Sequence, residues 1–218
     1  MATASAQRQQ DAIESMRSVL GGNYCSLHVS EFRVDENLRE ERCTVVATIH
    51  EVSDRDGGSI DASEEEVGKT FSVEGGGVGM IDAFFAALKS RYVSEYPSLA
   101  SIRFTRFSVT GLMAETASRA ATDAVARATV GVTNSYDTEF TFVAETGSVS
   151  RSSMQALLLA VQYFVNSERA YVQAYRSLEH ARAGGRHDLV TKYTQVLSEV
   201  VRNTSYSEVI ERLAHGRE

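Results

Sequence analysis

Ser101–Thr110 reads SIRFTRFSVT, and Ser26–Asp35 reads SLHVSEFRVD. Set 75 residues apart, the two stretches share every apolar position: Leu27 with Ile102, Val29 with Phe104, Phe32 with Phe107, and Val34 with Val109. In each, alternation with a period of two marks a strand with one buried face. In each, the alternation then slips by one residue. A slip would throw the remaining apolar side chains onto the opposite face, unless the strand takes up the extra residue as a β-bulge. The same slip at the same place in both stretches predicts a duplicated unit.

The segments that follow each copy agree. After the first, CTVVATIHE alternates through Val45, Ala47 and Ile49, and a third short strand ends at Phe71 and Val73. A glycine stretch then leads into an apolar helical face of Val78, Ile81, Phe84, Phe85 and Leu88. After the second copy, AVARATVGV repeats the second strand through Ala126, Ala128, Val130 and Val132. EFTFVAETGSVSRSSMQALLLAVQYF repeats the third strand, the loop and the helix, with Glu145-Thr146-Gly147 standing for Glu74-Gly75-Gly76. The second helix has a face of Met154, Leu157, Leu158, Val161, Phe164 and Val165. Pro97, the only proline, separates the units and blocks continuation of the first helix. The expectation is an α+β fold: a pseudo-twofold pair of β-β-β-α units over residues 23–175. An N-terminal helix, Ala6 to Leu20, fills residues 1–22 and stops at Gly21-Gly22. Residues 176–218 form a helical tail of two amphipathic helices, broken from what precedes by Gly184-Gly185. The first carries Leu189, Tyr193, Val196, Leu197 and Val200; the second follows a capping box of Ser205 and Glu208. Short amphipathic helices need an apolar partner. That partner is the domain itself, a second copy, or another protein.

Composition narrows the function. The 218 residues are 43% hydrophobic and 23% charged, with a formal net charge of −7. That balance argues against a general nucleic-acid surface, which needs clustered Lys and Arg. No apolar run approaches the roughly 20 residues of a membrane span, and MATASAQRQQDAIESM has no apolar core of a secretory signal. A cytoplasmic location is expected. Cys25 and Cys43 are the only cysteines and form no CxxC, so they read as buried thiols. Neither a cofactor nor a metal is expected.

Four glycines fall within Gly75–Gly79. Glycine serves where the backbone needs positive φ or where a partner approaches closely, so the stretch is a tight junction or a ligand cradle. It is no P-loop, since no Gly-Lys-Ser/Thr follows, and no dinucleotide fingerprint, since the spacing is absent. Amides of Gly77, Val78 and Gly79 at a helix N-terminus suit a carboxylate. Gly147, Ser148 and Ser150 offer the same role in the second copy. His28 and His50 lie on strands expected to pair, with both rings opposite the apolar face, and read as surface histidines. EVSDRDGGSIDASEEE holds seven carboxylates and one arginine. It fails as a calcium loop, because Gly58 and Ser59 stand where a third ligand and a glycine are needed; it reads as a solvated connection.

These motifs together resemble the C-terminal regulatory and dimerisation domain of the 2-isopropylmalate synthase and citramalate synthase family. The family opens its first helix with Gly-x-Gly-Pro-Val-Asp-Ala, matched by Gly77-Val78-Gly79-Met80-Ile81-Asp82-Ala83. Its Thr-Asp-Ala before the fifth strand is matched by Thr122-Asp123-Ala124. Its second helix, from Val-Ser-x-Asp to Ala-Tyr-Leu-x-x-Leu-Asn, is matched by Val149-Ser150-Arg151-Ser152 and by Ala160 and Asn166. Met80 replaces the proline, Ser152 the aspartate, and Ser101-Ile102 an Asp-Tyr pair of the fourth strand. The chain is too short to carry the family's metal-dependent β/α-barrel as well. The resemblance implies a stand-alone, dimeric module of leucine biosynthesis that binds a small carboxylate or amino acid and works with a separate catalytic subunit. It implies ligand contacts from Gly77, Val78, Gly79, Asp82, Ser148, Ser150 and Ser152. Asp82 would pair with an ammonium group. The alternative is a small biosynthetic enzyme evolved from the module, with Asp82, Glu74 or Glu145 as acid–base group. A third reading is a structural dimeriser whose tail helices dock another protein.

Overall fold

Cys25–Asn37 (β1), Arg42–Ser53 (β2) and Lys69–Gly77 (β3) form one antiparallel sheet in that order, and Met80–Val93 (α2) follows. Arg103–Leu112 (β4), Val125–Thr133 (β5) and Glu139–Thr146 (β6) repeat the arrangement, and Val149–Ala183 (α3) follows. Ala2–Leu20 (α1) precedes the first unit, and His187–Val200 (α4) and Ser207–His215 (α5) close the chain. The fold is α+β, a pseudo-twofold pair of β-β-β-α units with added helices at both ends. The computed structural model describes residues 2–53, 68–112 and 125–215. Most of the acidic segment after Ser53, and Thr122-Asp123-Ala124, lie outside the described residues.

Both slips are bulges. The β1–β2 register shifts between Val29 and Glu31, and the β4–β5 register between Phe104 and Arg106. Beyond the first, Phe32 and Val34 pair with Ala47 and Val45 on the helix-facing side; beyond the second, Phe107 and Val109 pair with Val130 and Ala128. The extra residue keeps the apolar set on one face, as pleat geometry requires.

The third strand departs from the sequence reading. β3 runs through Gly75, Gly76 and Gly77, which pair with Val45, Thr44 and Cys43. Val78 is outside the helix and exposed, not on its apolar face. Ladder pairing also shifts the internal alignment by two residues. Gly77 pairs with Cys43 and Thr146 with Ala126, and the N-caps that follow are Gly79 and Ser148. Glycines carry no side chain to show parity, so the repeat could not be registered through them.

α2 buries Ala83, Phe84, Ala87, Leu88 and Tyr92 on the first sheet. α3 lies on β5 and β6 and also reaches β1, so its N-terminal half is buried nearly all round. It continues without a break through residue 175, ending at Gly184 and at Gly185 with φ 66°. Edge strands need their free amides and carbonyls covered, and helix side chains do this twice. Asn166 accepts from Cys25 N (2.8 Å) and donates to Cys25 O (2.7 Å), and Gln162 accepts from Leu27 N (3.0 Å). On β6, Gln9 of α1 donates to Thr141 O (3.2 Å) and accepts from its amide (3.4 Å).

The partner of the tail helices is the domain itself. α4 packs on α3 and α1, burying Val196 and Val200. A buried chain of hydrogen bonds fixes the turn between α4 and α5. Tyr163 OH donates to Asn203 Oδ1 (2.9 Å), Asn203 Nδ2 donates to Ser167 Oγ (2.8 Å), and Ser167 Oγ lies 2.6 Å from Tyr206 OH. Tyr206 stacks on Tyr171 with ring centroids 4.3 Å apart. The capping box is displaced: Ser205 Oγ accepts from Ser207 N (3.4 Å), and Tyr206 O takes the first helical bond, from Ile210 N (2.8 Å).

Candidate functional site

The glycine junction is built by close packing. A Cβ at Gly75 would meet Ala87 N at 2.7 Å and Ala87 Cβ at 2.8 Å, besides the Ala83 carbonyl. One at Gly77 would meet Ala83 N at 2.7 Å, besides the Asp82 carboxylate. No real side chain fits there without moving the helix backbone, so these two glycines let α2 approach β3. Gly79 differs: it is the N-cap, its φ of −157° is ordinary extended backbone, and nothing lies within 4 Å of a Cβ there.

Asp82 occupies the third helical position and turns its carboxylate back on the loop. Its Oδ2 accepts from Val78 N at 3.3 Å. The structure thus brings Gly77, Val78, Gly79 and Asp82 together, but the anion at this helix N-terminus is the protein's own. A carboxylate ligand on the same amides would face Asp82 at close range, whereas an ammonium group would be attracted to it.

The second helix start is laced internally. Ser148 Oγ accepts from Arg151 N at 3.4 Å. Ser152 is buried; its Oγ accepts from Thr146 N (3.1 Å) and lies 2.7 Å from Ala126 O and 2.9 Å from Ser148 O. Its polar capacity is spent on tying α3 to β5 and β6. Ser148 is exposed and Ser150 half-buried on the first turn.

The acid–base candidates do not converge. Glu74 is exposed on the outer face of the first sheet, opposite Val46. Glu145 is on the outer face of the second, paired with Arg127 at 2.6 Å. Asp82 lies on the helix side. His28 and His50 are cross-strand partners as expected, with His50 Nδ1 2.8 Å from Thr70 Oγ1. Among the described residues, no group of three or more His, Cys, Asp or Glu could hold a metal ion. Both cysteines are buried and free. Burial, reinforced by Glu51, pushes the Cys25 thiol up to about 12, far from a reactive thiolate.

Concavity is found elsewhere. A cavity of about 690 Å³ opens between α1, the start of β6, α3 and the turn after α4. Phe140, Tyr163 and Ala12 form its buried floor, and Arg8, Asp11, Glu199 and Arg202 stand at its rim. Sequence reading named none of these residues as functional. They come from four separate elements, and no local spacing links them.

No helix among the described residues is long and apolar enough to cross a membrane. No protein-family model matches the chain, and no curated protein matches it.

Proposed function

We propose that the chain is a stand-alone, cytoplasmic regulatory module that binds a small carboxylate or amino acid. It resembles the amino-acid-binding domain of 2-isopropylmalate synthase and works as a homodimer with a separate synthase subunit. The observation that carries this reading is the duplication itself. Two β-β-β-α units repeat the same order and the same bulge, and two residues separate each third strand from the helix that follows. A fold of this kind joins two helix-bearing sheets across one core, where a bound molecule can bias their packing. The divergence of Asp82, Glu74 and Glu145 gives the enzyme reading no comparable support.

The test is a thermal-shift panel on the full chain, using branched-chain amino acids, aromatic amino acids, 2-oxo acids and hydroxy diacids. A ligand at ~100 times its dissociation constant adds about 2.7 kcal/mol. For a chain of this length that is a rise of several degrees. At least one class is expected to produce it. A flat response across the whole panel at millimolar concentration sinks the reading.

A further inference from the structure

The cavity under α1 combines two kinds of surface. Its floor is aromatic and buried: Phe140 and Tyr163 are little exposed, with ring centroids 5.4 Å apart. The Tyr163 hydroxyl is already satisfied by Asn203, so the ring offers a ligand only its apolar body. The rim is charged with both signs. Glu139, also on the rim, is neutralised by Arg106 at 3.1 Å. Asp11, Glu199 and Arg202 share the rim with it, so both signs of charge border the opening. Asp11 and Glu199 accept only from the neutral side chains of Gln7, Gln195 and Ser15 in the described hydrogen bonds. Arg202 is exposed, and its guanidinium makes no ion pair among the described residues. The C-terminal end of α4 also abuts the cavity, and the negative end of a helix dipole favours a cation. At about 690 Å³ the space falls within the range of small-molecule pockets.

An apolar floor under a rim that carries both signs of charge suits a zwitterion with a hydrophobic body. We infer that this cavity binds an α-amino acid with a large apolar side chain. The side chain lies on Phe140 and Tyr163, the carboxylate meets Arg202, and the ammonium group meets Asp11 and Glu199. The inference rests on the proposed small-molecule role and places the site in this cavity rather than at Gly77–Asp82. Both added ends of the chain, α1 and the tail, then have a binding role, because each supplies a wall.

Calorimetry on the full chain tests it with three probes: L-phenylalanine, L-phenylalaninamide, which lacks the carboxylate, and N-acetyl-L-phenylalanine, which lacks the ammonium group. The expected result is that each capped analogue binds about tenfold or more weakly than the free amino acid. Arg202→Gln should weaken L-phenylalanine by a similar factor and leave the amide unaffected, since a charge-assisted bond is lost only where a carboxylate is present. Val201→Trp, at an exposed cavity-lining position, should block all three. The unliganded melting temperature of Arg202→Gln should equal that of the wild type. Equal binding of all three probes, or unchanged affinity in Arg202→Gln, overturns the inference. If L-phenylalanine binds and Gly79→Val abolishes it while Arg202→Gln does not, the site is the glycine junction; the regulatory reading then survives and this placement falls. If L-phenylalanine does not bind but a 2-oxo acid or hydroxy diacid of the thermal-shift panel does, the same holds; if another apolar amino acid binds, its affinity for Arg202→Gln decides the placement in the same way. If nothing binds, both fall.

Discussion

Glu168 is 4% exposed on α3 and accepts from Ser98 N at 3.0 Å, at the start of the 3₁₀ turn Pro97–Ser101. Burial is the main influence on it and pushes the carboxyl above its ordinary range; Ser98 and Arg212 pull it partly back. The sign follows from linkage. The folded state holds the proton to higher pH than the unfolded chain does. This group's contribution to stability is therefore complete below the ordinary carboxylate value of 4.5 and is lost as pH rises through the folded value. At neutral pH the buried charge is a net cost. Glutamine at this position keeps an oxygen for Ser98 N and removes the charge. Glu168→Gln should thus melt higher than the wild type at pH 7, by on the order of 2–4 °C for each kcal/mol relieved. The gap should close as pH falls towards 4.5. Thermal denaturation at several pH values measures this, and a variant less stable than wild type at pH 7 contradicts it. Asn203 and Tyr206 illustrate the opposite case. Their buried groups are neutral and paired, so they specify the tail's seat without a charge penalty.

β4 is the element with least cover. Nearly every residue of it is exposed, and it lies at the edge of its sheet. On the helix-facing side Phe104 is 36% exposed, with its ring centroid 6.0 Å from that of Phe85 in α2, and Phe107 is 38% exposed. Phe32, the counterpart of Phe107 in β1, is 40% exposed. Matched apolar patches on pseudo-equivalent strands suit an isologous contact, in which a surface meets itself. The charges beside β4 are already neutralised as Arg103–Asp137 and Arg106–Glu139, so two copies need not repel there. Sedimentation should give twice 23.9 kDa for the wild type, and Phe107→Glu should give a monomer that still unfolds in one cooperative transition, at a lower temperature because the stabilisation by association is lost. A monomeric wild type, or a dimeric Phe107→Glu, removes β4 from the interface. The strands were the legible elements. Period and slip in β1 and β4 depend on side-chain alternation, which survives in one dimension, and the bulges fell where the slips placed them. Gly75–Gly77 was misread as loop because a strand of glycines shows no alternation. Gln162 and Gln9 give no signal, and Asn166 gives one only as a motif match, because a polar residue that caps a distant strand looks, along its own helix, like one facing water. The cavity was silent because Ala12, Phe140, Tyr163 and Arg202 meet only in three dimensions.

At the scale of the molecule the two units are interlocked rather than tethered. α3 belongs in sequence to the second unit, yet it covers the edge of β1 in the first through Asn166 and Gln162. α1 precedes the first unit, yet Gln9 covers β6 of the second, and α1 packs on α3 and α4. A three-stranded sheet with a single helix buries too little by itself. The hydrophobic core is accordingly continuous, running from Leu27, Val45 and Phe84 to Val130, Phe142 and Phe164. Such a chain should unfold as one cooperative unit. Native-state hydrogen exchange tests this at the level of each sheet: the slowest amides of β2 and β5 should open with the same free energy. Asn166→Ala strikes the junction, leaving both Cys25 N and Cys25 O buried without their partners. Unsatisfied buried groups cost about 1–3 kcal/mol each, so the global value should fall by roughly 2–4 kcal/mol when partial relaxation is allowed for. If the sheets are one unit, protection in β2 and β5 drops by the same amount, although only the first sheet has lost a contact. A drop confined to β1–β3, with β5 as protected as before, would show two domains that merely touch.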